Sequence, residues 1–336
     1  WLHSMTMEGE IQGISKIIIA RSDNLGDNIL TLPLLFAARK AFPDSEIHHL
    51  TTGIPAALFS RLPFIDRLIV KNSSGQLKQL FAEGGYDLFI AAKPEFDEAY
   101  RAFVSRVGVR VGTAYRWYSF LFNRKVKQHR RECTYHESEY NLNLLRAIKP
   151  EVEYRRHFDF DLSDVNIEEV LLKLSIGNNP FIVLHPGSRG SAFDLPISNV
   201  ISFLSQYLTT DDKLKVILTG TIEEKSTCQQ IVNAVRQNTG IELNDTSGKL
   251  NIRELAALIN SSEVFVSNST GPIHIAGSLN KKVIGFYPDI VPMKPERWKP
   301  LSDSAVILTP GNGSSKMGLI SPDEIIKSLK LLLKLN

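Results

Sequence analysis

Cysteine is scarce: Cys133 and Cys228 are the only two in 336 residues, and they lie far apart. That excludes a disulfide framework and a cysteine-based zinc pattern, and it points to a reducing, cytoplasmic setting. No apolar run approaches the ~18 residues that a bilayer-spanning helix requires. The opening, Trp1 to Gly9, lacks a basic flank followed by an apolar stretch, so no secretory signal is read there, and Met5 or Met7 is the expected natural start. Two nucleotide fingerprints are also missing. The first strand is not followed by Gly-x-Gly-x-x-Gly, and no Gly-Lys-Ser/Thr occurs, which excludes a dinucleotide turn and a P-loop. The net charge of +3 excludes little by itself; its distribution says more.

What is present is an ordinary soluble composition, 43% hydrophobic and 22% charged. The length suits two domains. Lys16 to Ala20 is a short β-branched run of the kind buried in parallel sheets. A polar turn follows, then a helical pattern from Ile29 to Phe42 that stops at Pro43. Glu46 to Thr51, Arg67 to Val70 and Asp87 to Ala91 read as further strands. The second half repeats this grammar. Strands are expected at Pro180 to Leu184, Lys215 to Leu218, Glu263 to Ser267 and Lys282 to Phe286. Helices are expected at Ile197 to Tyr207, Glu223 to Gln237, Arg253 to Ile259 and Pro272 to Leu279. The alternation predicts an α/β chain of two doubly wound domains joined near Phe158 to Asn166. A last helix, Ser321 to Leu335, has a serine cap, Pro322 and two acids at its start, with Ile325, Ile326, Leu329, Leu332 and Leu333 on one face.

Three strand ends carry candidate chemistry, because ligands of open α/β sheets bind at the carboxyl ends of strands. Leu25-Gly26-Asp27 offers a close backbone approach and a carboxylate able to take a proton from a hydroxyl. Its alternative is a helix cap at Asp27. Ser267 to His274 (Ser-Asn-Ser-Thr-Gly-Pro-Ile-His) ends a strand in hydroxyls and begins a helix at once, which makes an anion site from free N–H groups, the helix dipole, Ser269 and Thr270. Its alternative is a capped helix with His274 packed inside. His185-Pro-Gly-Ser188 with Arg189 can wrap and neutralise a phosphate, or form a plain turn.

Arg101 to Arg131 holds nine Lys or Arg and no acid, with Tyr115, Trp117, Tyr118, Phe120 and Phe122 interleaved. A run of this kind is either a solvated face or the footprint of an anionic partner, and the complete absence of acids favours the partner. Two metal-like patterns are discounted. Asp159-Phe-Asp161 is a lone pair in the expected join, and His48-His49 are neighbours on a strand, where side chains point to opposite faces.

Taken in order, these pieces resemble glycosyltransferase family nine, the ADP-heptose:lipopolysaccharide heptosyltransferases. Arg21 to Asp44, with Leu-Gly-Asp, Thr31 to Leu34 and Ala41 to Asp44, resembles the family's opening. Arg106-Val-Gly to His136-Glu137 and Asn141 to Leu145 resemble its middle. His185-Pro-Gly, Thr219-Gly220, Glu224, Glu254 to Ile259, Ser267 to His274 and Arg297 to Pro300 resemble its nucleotide-sugar domain.

The resemblance implies a GT-B fold with the active site in the cleft between two facing Rossmann-like domains. Residues 1–160 would bind acceptor and 161–320 the nucleotide sugar, with the helix 321–336 packing back on the N-terminal domain. It implies inverting transfer from ADP-heptose to the inner core of lipopolysaccharide, without metal or other cofactor. Asp27 would be the general base. Ser188, Ser269, Thr270, Gly271 and His274 would serve the donor's diphosphate and sugar, and Glu224 its ribose. Gly26, Arg101, Arg106 and Arg116 would meet the anionic glycolipid acceptor. The expected location is cytoplasmic, with contact at the inner membrane, and nucleic acid is not an expected partner.

Two positions depart from the family. Ser269 stands where an aspartate usually precedes Thr-Gly, and Phe193-Asp-Leu-Pro196 stands where a lysine shortly before Trp-Pro is common. Arg189 is the candidate replacement for that cation. The departures leave two other readings: the same fold with a different donor or acceptor, or a non-catalytic protein that binds anionic glycans.

Overall fold

The computed structural model describes residues 13–177, 179–188, 190, 192–210 and 213–334. Arg189 lies outside them. The first domain alternates β1 (Lys16–Ala20), α1 (Leu25–Ile29), α2 (Leu32–Ala41), β2 (Glu46–Thr51), α3 (Gly53–Phe59), β3 (Arg67–Val70), α4 (Ser74–Glu83), β4 (Leu88–Ala91), α5 (Phe96–Val104), β5 (Val109–Thr113), β6 (Arg124–Val126) and α6 (Glu137–Arg146). The second runs through α7 (Ile167–Lys173), β7 (Phe181–His185), α8 (Ile197–Tyr207), β8 (Lys215–Leu218), α9 (Lys225–Thr239), β9 (Asn244–Asp245) and α10 (Ile252–Ser261). It continues with β10 (Val264–Asn268), α11 (Gly271–Ser278), β11 (Val283–Phe286), α12 (Pro295–Trp298), β12 (Ala305–Leu308) and α13 (Pro322–Lys334). The expected join, Phe158 to Asn166, falls in the connection between α6 and α7.

Both sheets have six parallel strands in the same order. The first is β3-β2-β1-β4-β5-β6 and the second β12-β11-β10-β7-β8-β9. This is the doubly wound Rossmann order, traversed in opposite directions. The central strands read as near-continuous apolar runs because helices cover both faces: Ile17, Ile18, Ile19 and Ala20 are fully buried, as are Val264, Phe265 and Val266. The expected helix Ile29 to Phe42 is in fact two, broken at Leu30–Thr31. Pro33 sits in the first turn of α2, where its missing N–H costs nothing and its fixed φ favours a fresh start.

The last helix is a correction. Ile325, Leu329 and Leu332 of α13 are buried among Val200, Phe203 and Leu204 of α8 and Val266 and Ile284 of the second sheet. It does not pack back on the N-terminal domain. One face of the second sheet requires an apolar cover, and α13 and α8 provide it.

The two domains meet where α1 packs on α11 and α3 on α10. At the first contact the backbones approach closely. A Cβ at Gly26 would sit 2.6 Å from His274 Cδ2, and one at Gly271 would lie 3.1 Å from Leu25 Cβ. At the second, Arg253 of α10 pairs with Asp164 and donates to the Ala57 carbonyl at 3.2 Å.

Candidate active site

Strand order reverses between β1 and β4 in one sheet and between β7 and β10 in the other. The loops leaving β1, β7 and β10 face each other there, across a cavity of about 1220 Å3 lined by both domains. Of the residues expected from sequence, Gly26, Asp27, Ser188, Glu224, Ser269, Thr270, Gly271 and His274 line it. Arg101, Arg106 and Arg116 are not among its lining residues.

Asp27 is not a helix cap. Asn24 holds that position in extended backbone, and Asp27 lies within the first turn of α1. Its carboxylate is paired with Arg21 yet keeps 16% of its side-chain exposure. Arg21 is buried and fully engaged. It also donates to Asp23 at 2.9 Å, to the Ala92 carbonyl at 3.2 Å and to Glu137 at 2.9 Å. Burial pushes the Asp23 carboxyl up to about 6, against the pull of Arg21. Glu137 has no exposed side-chain surface and accepts from Arg21, from Arg130 at 2.5 Å and from Arg297 at 2.8 Å. Burial alone would raise its pKa, but the guanidiniums of Arg130, Arg21 and Arg297 hold it down at about 2. The result is three carboxylates against three guanidiniums, knitting the end of β1 to α6 and to α12 of the second domain. Arg297 also lines the cavity.

The opposite wall is built differently. β10 ends in Ser267 and Asn268, and α11 starts at Gly271 after Thr270, whose side chain makes no capping bond to it. The first N–H groups of an α-helix have no intrahelical acceptor, and the dipole adds partial positive charge there. Thr270 Oγ1 instead meets Ser267 Oγ at 3.2 Å. Asn268 is turned away from the cleft, holding the Pro186 carbonyl at 2.6 Å and the Leu195 N–H at 2.9 Å, and so fixes the loop that carries Ser188. Ser269 hydrogen-bonds the buried Tyr287 hydroxyl. His274 is buried, and burial first, then the nearby His136, lowers its pKa to about 3. Its ring is therefore neutral at pH 7. Among the described residues its buried Nδ1 has no hydrogen-bond partner.

Glu224 closes the far end of the cavity. Its Oε2 accepts from the Thr221 N–H at 2.8 Å and lies 3.8 Å from His185 Nε2. Any Cβ at Gly187 would fall 2.3 Å from Glu224 Oε1, so glycine is required for this approach. His185 Nδ1 contacts Thr219 Oγ1 at 3.0 Å.

Sequence reasoning did not single out Arg21, Asp23 or Glu137 as site residues. They are separated in the chain, and only the fold brings them together. The metal-like patterns have other partners. His49 bonds Ile19 and Asn28, His48 bonds Tyr86 and Glu46, and Asp161 accepts from the Ser163 N–H. Among the described residues no three His, Cys, Asp or Glu side chains are grouped to hold a metal ion.

Two Rossmann-like domains face one another across a ligand-sized cleft, one offering a carboxylate and the other an uncapped helix start. That arrangement is the GT-B fold. The chain belongs to glycosyltransferase family 9 (heptosyltransferase), whose sequence model matches residues 75–318. It is 27% identical to a putative glycosyltransferase of Haemophilus influenzae over 96% of this chain and 97% of that protein. Its fold is similar to a family 9 glycosyl transferase from Veillonella parvula, with TM-score 0.81, 20% identity and 96% and 98% of the two chains covered. It is also similar to E. coli ADP-heptose LPS heptosyltransferase II, with TM-score 0.77, 19% identity and 96% and 99% covered.

Proposed function

We propose that the protein transfers a heptose from ADP-heptose to the inner core of a lipopolysaccharide, with inversion and without a metal. The observation that carries this reading is that the accessible Asp27 carboxylate and the uncapped start of α11, one from each domain, line the same cavity. Asp27 takes the proton of the acceptor hydroxyl, whose oxygen attacks the anomeric carbon from the side opposite the diphosphate. The bond from that carbon to the diphosphate oxygen breaks, and ADP leaves with the bonding pair. The N–H groups of α11, the hydroxyls of Ser188 and Thr270, and the neutral ring of His274 stabilise the departing charge. Glu224 holds the ribose. Ser269, tied to Tyr287, lies against the transferred sugar. Gly26 lets the acceptor approach, and Arg101, Arg106 and Arg116 receive anionic parts of the glycolipid that extend beyond the cleft. The place of action is the cytoplasmic face of the inner membrane. Among the described residues no helix is long and apolar enough to cross a membrane.

The test is Asp27→Asn. Turnover is expected to fall ~100- to 10,000-fold, while thermal stabilisation by ADP or ADP-heptose persists. Retained turnover would remove Asp27 as the base. Stabilisation by UDP, GDP or CMP sugars in place of ADP compounds would keep the transferase and replace the donor. A folded protein that no nucleotide stabilises would support the non-catalytic reading.

A further inference from the structure

The basic stretch lies away from the cleft lining, and its surroundings are apolar in a particular way. Eight of the fifteen exposed large apolar side chains among the described residues fall between 96 and 135. Phe96, Tyr100 and Phe103 occupy positions i, i+4 and i+7 of α5, one stripe of the helix, and are 41%, 40% and 44% exposed. An adjoining side of α5 holds the buried Glu98, Ala99 and Ala102. Trp117, 73% exposed, stacks on Phe96 with ring centroids 4.9 Å apart, and Phe120 beside it is 64% exposed. A soluble surface rarely gathers such residues without a partner.

Cations belong to this face: Arg106 follows α5 directly and Arg116 lies within the loop. Arg110 and Arg130 are spent internally, the first on the Leu121 carbonyl and the second on Glu137. Arg106, Arg116, Lys125, Lys127 and Arg131 are exposed. Arg106 adds a separate clue. It ends α5 with φ +58°, in the left-handed region where glycine is the ordinary residue. A non-glycine residue there carries backbone strain that glycine would not. The face is fastened to the cleft wall. Buried Glu98 of α5 accepts from Ser22 at 2.6 Å and from Lys71 at 2.9 Å, and Ser22 adjoins the cleft residue Asp23.

We propose that the face formed by α5 and the 115–120 loop is a docking surface for an anionic phospholipid bilayer. The aromatic rings enter the headgroup boundary, where amphipathic rings are favoured, and the arginines and lysines meet lipid phosphates. This goes beyond the transferase reading and rests on it only for the location of the acceptor. The cleft is thereby held beside the surface from which a glycolipid head projects.

The experiment is vesicle flotation of the full chain, with phosphatidylglycerol–phosphatidylethanolamine vesicles against pure phosphatidylcholine. The wild type is expected to float with the anionic vesicles and to be released progressively as salt shortens electrostatic reach. Trp117→Ser with Phe120→Ser should weaken binding roughly tenfold, because both rings are solvent-facing apolar area. Arg106→Gly should weaken it roughly fivefold while holding or raising Tm, since glycine relieves the backbone. Equal binding to neutral vesicles, variants that float like the wild type, or displacement of the protein from vesicles by single-stranded RNA would each overturn the proposal. Transfer to a deacylated, water-soluble acceptor is measured in parallel. The Trp117/Phe120 variant should keep it, so failure of the docking surface and failure of the transferase reading give different results.

Discussion

The two halves of the cleft share one strand order and use it in opposite ways. At the end of β1 the first domain concentrates full charges: Arg21, Asp23 and Asp27, backed by its own Glu137 and Arg130 and by Arg297 from the second domain. At the ends of β7 and β10 the second domain presents mainly hydroxyls, glycines, a helix start and histidines that burial keeps neutral, with the Glu224 carboxylate set beside His185. A proton acceptor has to be ionised and held in one place, so the first half invests in a guanidinium fixed on several sides. A diphosphate brings its own charge. The wall that binds it needs donors that do not require neutralising when the ligand is absent, and uncharged dipoles meet that requirement. Matching folds therefore do not imply matching electrostatics.

The largest effect that would break this contrast is at Glu137. It is the anion on which three guanidiniums from three segments converge, with no exposed surface. Removing one member of a buried charge cluster leaves the others unpaired, at a cost of about 3–5 kcal/mol. Glu137→Ala should therefore lose that much in denaturant unfolding. Glu139→Ala, two residues on and on the other face of α6, removes only a partly exposed pair with Arg146 at 2.7 Å and should cost about 0–1 kcal/mol. Similar losses in the two variants would mean that the charged half owes its order to packing alone.

A smaller effect tests the seam itself. Gly26→Ala would drive a Cβ to within 2.6 Å of His274 Cδ2, and because His274 is buried the domains must separate or the ring must move. Overpacking of this kind costs typically about 1–3 kcal/mol. Gly271→Ala meets Leu25 at 3.1 Å, a contact that a few tenths of an ångström relieve, so its loss of Tm should be smaller. The reverse ranking would show that α11, and not α1, is the rigid side of the seam.

Much of the fold was legible and part of the site was not, for physical reasons. Strands β1, β7, β10 and β11 declare themselves as short, mainly apolar runs rich in β-branched residues, because helices bury both of their faces. Strands β5 and β6 do not. They lie inside the cationic stretch, where arginines alternate with valines at the sheet edge, and charge masks period. The destination of α13 was hidden because an amphipathic face fits either domain. Gly26, Asp27, Thr270 and His274 were readable as strand-end residues, whereas Arg21 gave no sign of its load. Its partners Glu137 and Arg297 belong to segments that touch only after both domains have folded. The basic run was read as one anionic site, yet the structure divides it into interior guanidiniums (Arg110, Arg130) and a rim beside exposed rings.

The smallest predicted effect concerns two buried histidines with depressed pKa values, one in each half. His49 in the first domain, lowered to about 4 by burial, has both ring nitrogens engaged, by the Ile19 carbonyl and Asn28. His274 in the second, lowered to about 3 by burial and His136, has Nδ1 unengaged. Both are neutral in the fold and would titrate near 6.5 when unfolded, so each contributes stability that is complete above 6.5 and fades as pH falls below it toward its folded value. Only His274 lines the cavity. A diphosphate bound there brings negative charge that raises the pKa of His274, so ADP binding should gain on acidification relative to a His274→Asn variant. Between pH 6 and 4.5 the ratio of the two proteins' Kd values for ADP should shift by roughly two- to fivefold, under 1 kcal/mol, with the ligand's own titration cancelling in the ratio. His49→Asn should leave that ratio flat while altering acid stability. If both variants changed the pH profile of ADP binding alike, the neutral wall would not distinguish a ligand-facing histidine from a core one, and the orphaned Nδ1 would be only a packing feature.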